Sequence, residues 1–239
     1  MNILIPMAGE GKRFKEHGYD NIKPLILVDG KPMIQRAIES LGIEGQFIFV
    51  IRADKEANQI KDLLNTITKN PIIIETEWVT EGPACSALLA DDVIYGDEPL
   101  VIANCDQIMW WDHRAFSAYC ENAPYDGIIV TYYANSSKNS YARLDRHGCV
   151  KEIREKEVIS NISLNGIHYW QKGSTFVESA LTMIQKNDKS VNGEFYIGPS
   201  YNHMINIGLE VGIFHVPNCQ HHAIGTPEDL ERYLSYASV

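Results

Sequence analysis

One junction near the start of this chain limits its fold more than any other stretch. Ile3-Leu4-Ile5-Pro6-Met7 is a short apolar run that reads as a buried parallel strand. It feeds directly into Ala8-Gly9-Glu10-Gly11, followed by Lys12, Arg13 and Phe14, and Lys23-Pro24-Leu25 comes ten residues after Arg13. A strand that ends in a glycine loop carrying cations is how a backbone approaches phosphate. Glycine removes the Cβ that would block the approach, and free N–H groups and cations then meet the negative charge. Chemistry on a nucleotide is the first implication.

Three kinds of phosphate loop compete for this segment. A dinucleotide loop wants G-x-G-x-x-G, but the third glycine position holds Phe14, where that motif needs close helix–strand packing. A Walker loop wants G-x-x-x-x-G-K-[ST], and here Lys12 is followed by Arg13 after the wrong glycine spacing. The third is G-x-G-x-R-F with K-P-L downstream. A bare strand–helix turn with surface cations is the bland alternative. The paired KPL and GKPM segments disfavour it.

The rest of the first half repeats a strand–helix rhythm. Residues 46–52, 71–75, 100–104 and 127–133 read as strands, and 55–66, 84–91 and 112–122 as helices. This alternation predicts an α/β fold, a mostly parallel sheet flanked by helices on both faces. Ligands in such sheets sit outside the carboxyl ends of the strands, where both the glycine loop and Asp106 fall. After residue 135 the pattern changes. Segments 141–145 and 150–154 flank Arg146-His147-Gly148 as a hairpin, 163–170 and 211–216 read as strands, and 173–186 and 195–206 as helices. Thr226 caps a final helix, with Pro227 in its first turn and Glu228 and Asp229 near its positive end. No linker rich in Pro, Gly or Ser interrupts the chain. The expectation is one domain over 1–239, with a nucleotide-binding half to about 135 and an acceptor-binding half from about 136.

Composition narrows the partners. A formal charge of −10 argues against general nucleic-acid binding, which needs a basic footprint. No stretch approaches the roughly 20 apolar residues of a membrane helix. No basic region precedes the first apolar run, so a cytoplasmic protein is expected. Cys85, Cys105, Cys120, Cys149 and Cys219 are dispersed without a C-x-x-C pair, which fits reduced thiols.

Several segments together resemble the sugar-phosphate nucleotidyltransferases: IPMAGEGKRF, KPLILVDGKPMI, TEGPACSALLA, IANCDQ, EKEVISNISLNGIHYW, NGEFYIGPSYNHMI and IGTPEDLE. They occur in family order, and the likeness is greatest to small members of capsule and surface-glycan pathways. The resemblance implies a nucleotidyltransferase fold, a Rossmann-like mixed, mostly parallel sheet flanked by helices and similar to the GT-A glycosyltransferase sheet. It also implies a reaction in which an acceptor phosphate attacks the α-phosphate of an NTP and pyrophosphate leaves. By motif, Ala8, Gly9, Gly11 and Lys12 would wrap the triphosphate. Arg13 would neutralise the leaving pyrophosphate, and Lys23 would hold the α-phosphate or its neighbour. Asp106 would bind Mg²⁺. Glu81, Gly82, Pro83 and Ala84 match the loop that receives base and ribose. Glu155 and Lys156 match a pair that contacts the acceptor, although Glu157 stands where a proline is usual. Gly166 would line the acceptor pocket, and Glu194 precedes the helix that closes it.

One departure concerns the metal. Ala223 stands where many members place a second Mg²⁺-binding aspartate, two residues before Gly225. His222 is a candidate to replace it, as ligand or phosphate contact; a surface position is the alternative. The implied partners are an NTP (CTP, UTP or dTTP) and a phosphorylated small molecule, first of all a sugar 1-phosphate. A cytidylyltransferase with a non-sugar acceptor, a glycosyltransferase of the same sheet type and a non-catalytic nucleotide-binding protein remain open. So do the base, the acceptor and any homo-oligomer.

Overall fold

The computed structural model describes residues 1–237. The first half comprises β1 (Asn2–Pro6), α1 (Lys12–Glu16), β2 (Leu27–Val28), β3 (Lys31–Pro32), α2 (Met33–Leu41), β4 (Gln46–Arg52) and α3 (Ala57–Ile67). Then come β5 (Ile72–Thr76), α4 (Pro83–Leu88), α5 (Asp91–Ile94), β6 (Leu100–Ala103), β7 (Gln107–Met109), α6 (His113–Asn122) and β8 (Gly127–Tyr133). The second half adds β9 (Ser140–Leu144), β10 (Val150–Glu155), β11 (Ile162–Trp170), α7 (Gly173–Gln185) and α8 (Ser200–Asn206). It closes with β12 (Val211–His215), β13 (His221–Ala223) and α9 (Pro227–Ala237).

Among the described residues nine strands share one mixed sheet. β5, β4, β1 and β6 pair in parallel in that order, and β12 pairs in parallel with β8. Antiparallel β11 joins the two sets, lying between β6 and β8. The parallel strands are buried on both faces, which is why they read as continuous apolar runs rather than alternating ones. In β1, Leu4 faces one hydrophobic cluster with Trp170, Phe176 and Tyr201, while Ile3 and Ile5 face the clusters under α6, α2 and α3. Trp170 and Tyr201 stack with ring centroids 4.5 Å apart, which anchors α8 to β11. Among the described residues no helix is long and apolar enough to cross a membrane.

β11 is where the two halves are spliced. Residues 167–170 pair with β6, but Ser163 pairs with Tyr141 of β9 on the same side, and the register against β8 shifts between Leu164 and His168. The bulge puts Gly166 at φ +91°, a conformation open to glycine. The β9–β10 hairpin therefore overhangs the carboxyl end of β6 instead of extending the sheet beside it. A cleft opens between the two.

Local expectations differ from the structure in three places. The helix expected over 84–91 breaks into α4 and α5, because Leu89 and Ala90 donate to carbonyls three residues back and tighten the turn. The helix expected over 195–206 begins only at Ser200. Phe195 spends its backbone elsewhere: its N–H donates to the Glu81 carbonyl at 2.9 Å, and its carbonyl accepts from Ala84 at 3.0 Å. The short pair β7–β13 was not anticipated at all; its strands are three residues long and carry no strong alternation.

Candidate functional site

The loop after β1 is shaped by its glycines and pinned by the aromatic that follows. Gly11 sits at φ +63° as the residue before α1, and its carbonyl accepts from Phe14 at 3.1 Å. A Cβ there would press within 3.2 Å of the Lys23 Cβ, so Gly11 also lets the Lys23-Pro24-Leu25 turn close over the loop. Phe14 is buried in a cluster with Val28, Met33, Leu230 and Tyr233. Close helix–strand packing is thus achieved with a plug rather than a third glycine. Lys12 pairs with Glu10 at 2.8 Å on the loop's exposed side.

Lys23 reaches across to Asp106, which follows β6, and the ammonium donates to the carboxylate. Burial pulls the lysine pKa down, but the charges of Asp106 and Cys105 and the hydrogen bond outweigh it, and the net value lies above the ordinary one. For Asp106 burial pushes upward, and Lys23 with Arg13 holds the carboxyl below its usual range. Arg13 is exposed, and among the described residues it forms no ion pair. One acidic and two basic groups therefore meet at one point.

Two cavities meet there. One, of about 520 Å³, runs along Ala8–Arg13, Thr80, Gly82, Pro83 and Glu194. The other, of about 610 Å³, lies in the cleft under the β9–β10 hairpin and includes Ser140, Glu155 and Gly166. Arg13, Pro83, Asn104, Asp106, Tyr196 and Gly225 line both.

In the first cavity Gly82 holds φ +136°, and a Cβ there would strike the Phe195 backbone. Gly82→Ala is expected to destabilise the chain by about 2 kcal/mol or more, read as a lower urea midpoint at unchanged slope. Pro83 lines the wall, but two residues of this motif do not. Ala84 is fully buried beneath it, and the Glu81 side chain turns outward to pair with Lys189 at 2.6 Å.

In the second cavity Glu155 is buried and accepts from Ser140. Burial raises its pKa, against the lowering pull of that hydrogen bond. Lys156 stands at φ +61° and does not line the cavity; its ammonium donates to the Tyr196 hydroxyl at 2.8 Å. Gly166 fits against the Asn104 side chain, where any Cβ would collide, and its carbonyl accepts from the Asn104 N–H at 3.2 Å.

The structure turns His222 away from this site. β13 pairs antiparallel with β7, so alternate residues face opposite sides. His221 and Ala223 line the cavity, whereas His222 packs on Trp110, with ring centroids 4.0 Å apart, and contacts the Cys219 carbonyl at 3.0 Å. His222→Ala is expected to leave the metal dependence of any activity unchanged while costing about 1 kcal/mol of stability through the lost ring contact. Paired Mg²⁺ titrations and thermal melts check both halves. His221 is the histidine that faces Asp106; burial first, then the neighbouring imidazole, holds its pKa down to about 4. Gly225 must be glycine, since a Cβ would run into the Asp106 carboxylate.

Among the described residues no group of three or more His, Cys, Asp or Glu side chains is placed to hold a metal ion. The residues present still fit Mg²⁺. That ion keeps several waters and binds through one or two carboxylates plus substrate phosphates, so Asp106 suffices on the protein side. Sequence reasoning passed over Asn104 and Tyr196, which lie inside the quoted segments IANCDQ and NGEFYIG. It passed over His221 because the strand that turns the two histidines to opposite faces went unrecognised.

An α/β sheet with a glycine loop, two cations and one carboxylate at its carboxyl edge defines a class of nucleotide-handling proteins. The chain belongs to the nucleotidyl transferase family, whose model matches residues 3–194. Among curated relatives, mannose-1-phosphate guanylyltransferase catalytic subunit beta of Drosophila melanogaster is 26% identical over 200 residues, covering 81% of this chain and 53% of that protein. The bifunctional protein GlmU of Methanocaldococcus jannaschii is 26% identical over 208 residues, covering 86% of this chain and 47% of that protein. The chain thus spans about half the length of the curated relatives it matches. Its fold is shared by the nucleoside-diphosphate-sugar pyrophosphorylase of Vibrio cholerae RC9, with a TM-score of 0.81 and 20% identity over 98% of this chain and 99% of that one. The inositol-1-phosphate CTP transferase of T. maritima has a TM-score of 0.78 and 17% identity over 99% of this chain and 94% of that one.

Proposed function

We propose that this chain joins an NTP to a phosphorylated small molecule and releases pyrophosphate. The observation that carries the reading is the meeting of two cavities at Arg13 and Asp106, with Lys23 paired to Asp106. The glycine-loop cavity takes the triphosphate, with the base and ribose against the Gly82–Pro83 wall. The cleft under β9–β10 takes the acceptor, with a sugar 1-phosphate as the first choice. An oxygen of the acceptor phosphate bonds to the α-phosphorus, the bond from that phosphorus to its bridging oxygen breaks, and the electron pair leaves with pyrophosphate.

Charge moves onto the departing oxygens in this step, so fixed cations beside them lower the barrier. Arg13, which forms no ion pair among the described residues, is free to meet the leaving group. Lys23 exchanges its carboxylate for an α-phosphate oxygen. Asp106, with phosphate oxygens and water, would hold Mg²⁺, which when bound neutralises the two phosphates that must approach each other. CTP, UTP and dTTP are the first nucleotides to test. A part in making precursors for capsule or surface glycan is the physiological reading, supported by the resemblance of the motif set.

Pyrophosphate release tests the proposal. The purified chain is given Mg²⁺ and each of CTP, UTP, dTTP, GTP and ATP, with pools of sugar 1-phosphates and of other phosphorylated small molecules. Release that needs both one nucleotide and one pool supports transfer. Nucleoside diphosphate released from nucleotide sugars, offered in a parallel assay with hydroxyl acceptors, would point instead to a glycosyltransferase. NTP binding without release in any combination would leave a binding protein.

A further inference from the structure

We infer that His168 is a specificity-determining residue of the acceptor cavity, hydrogen-bonding an uncharged hydroxyl or amide of the acceptor. The inference rests on the reaction proposed above and deepens it. His168 lies on β11 just past the bulge and lines the 610 Å³ cavity, with 6% of its surface exposed. Its ring continues the stack begun by Trp170 and Tyr201, at centroid distances of 6.0 and 5.8 Å. Gly198 lies against its Cε1 edge and has no side chain to cover it.

The imidazole has no visible structural employment for its polar edge. Nδ1 is buried and finds no hydrogen-bond partner among the described residues. Gln107, on another wall of the same cavity, has a buried Nε2 that also lacks one. Buried polar groups are nearly always paired, so two unpaired ones on residues that line the same cavity call for partners that the described residues do not supply. A core position that only needed to extend the Trp170–Tyr201 stack would be served better by phenylalanine. Burial pulls the His168 pKa down to about 3, which favours the neutral ring.

Neutrality decides what these groups suit. A neutral imidazole offers one donor and one acceptor, and the Gln107 amide nitrogen offers donors. That set complements hydroxyls and amides, which both give and take hydrogen bonds. A carboxylate or ammonium placed here would lose its hydration without gaining a countercharge. Arg13, Asp106, Lys138, Glu155, Asp229 and Arg232 also line the cavity, and none of them contributes to the His168 pKa, which burial alone shifts. A site built around a hydroxyl rejects an analogue without it, because its own polar groups are then left unpaired.

The test compares the full chain with His168→Phe, which keeps the ring stack, and His168→Gln, which keeps a neutral donor and acceptor. The probes are gluco-, galacto- and manno-hexose 1-phosphates, their monodeoxy analogues, and phosphocholine, each with the NTP panel and Mg²⁺. For the hexose phosphate turned over by the wild type, one monodeoxy analogue should raise KM about tenfold. His168→Phe should raise the parent KM about tenfold and abolish that discrimination, with kcat and the KM for NTP unchanged. His168→Gln should recover part of it. Melting curves confirm that each variant is folded.

Parent KM within twofold of wild type in His168→Phe, or discrimination that persists in it, would overturn the inference and leave nucleotidyl transfer standing. Turnover of phosphocholine alone, which has neither hydroxyl nor amide, would do the same. Absence of pyrophosphate release by the wild type with every pair would overturn both.

Discussion

Asp106→Asn is expected to abolish Mg²⁺-dependent pyrophosphate release, by about a thousandfold or more, in a protein that still folds. The carboxylate is the one acidic group at the point where the two cavities meet that is also held ionised by neighbouring cations. Asparagine keeps the shape and one oxygen but removes the charge a hard cation needs. Turnover near that of the wild type would remove Asp106 from the reaction. The same variant should alter stability against pH in a defined way. The Lys23 pKa is raised, so its contribution is complete below its unfolded value of about 10.4 and is lost as pH climbs through the folded value. The Asp106 pKa is lowered, so its contribution is complete above about 3.9 and is lost as pH falls through the folded value. Between about pH 4 and 10 the pair's contribution is level. In Asp106→Asn the burial of Lys23 acts without its countercharge, and its folded pKa drops below the unfolded one. Stability should then rise with pH from about 7 to 10, where the wild-type pair's contribution is level. Melting temperatures from about pH 7 to 10 separate the two slopes.

Arg13→Ala is expected to lower kcat by about a hundred- to a thousandfold while leaving the melting temperature where it was. The two halves of that expectation come from one fact: the guanidinium lines both cavities, is exposed, and has no ion pair among the described residues. A side chain that carries no structural load can be removed without unfolding the chain. A cation aimed at developing charge cannot be removed without raising the barrier. Arg13→Lys should recover only part of the rate, because a point charge replaces a planar fork matched to phosphate. A change confined to the KM for NTP would assign Arg13 to binding alone.

Much of the parallel sheet was legible in the chain. Strands buried on both faces must be apolar throughout, and 46–52, 100–104 and 127–133 declare themselves that way. The glycine loop was legible for a similar reason, since left-handed backbone and close approach leave few residue choices. Long-range geometry was not. Nothing local in residues 195–199 reveals that their backbone bonds go to Glu81 and Ala84. Likewise the outward turn of Glu81 depends on Lys189, more than a hundred residues away.

The histidine pair shows the boundary most clearly. Residue type and order were enough to predict an α/β sheet, a phosphate-suited loop and an isolated Asp106, because each rests on neighbours in sequence. Which of His221 and His222 faces Asp106 depends on the pairing of β13 with β7, and in a strand one residue of offset reverses the side chain. The same holds for His168. Its place after an apolar strand segment suggests only core, and the cavity beside it exists because a bulge at Gly166 and an overhanging hairpin leave space there. Contacts made across the fold are set by packing of segments far apart in the chain, and a linear pattern carries no record of them.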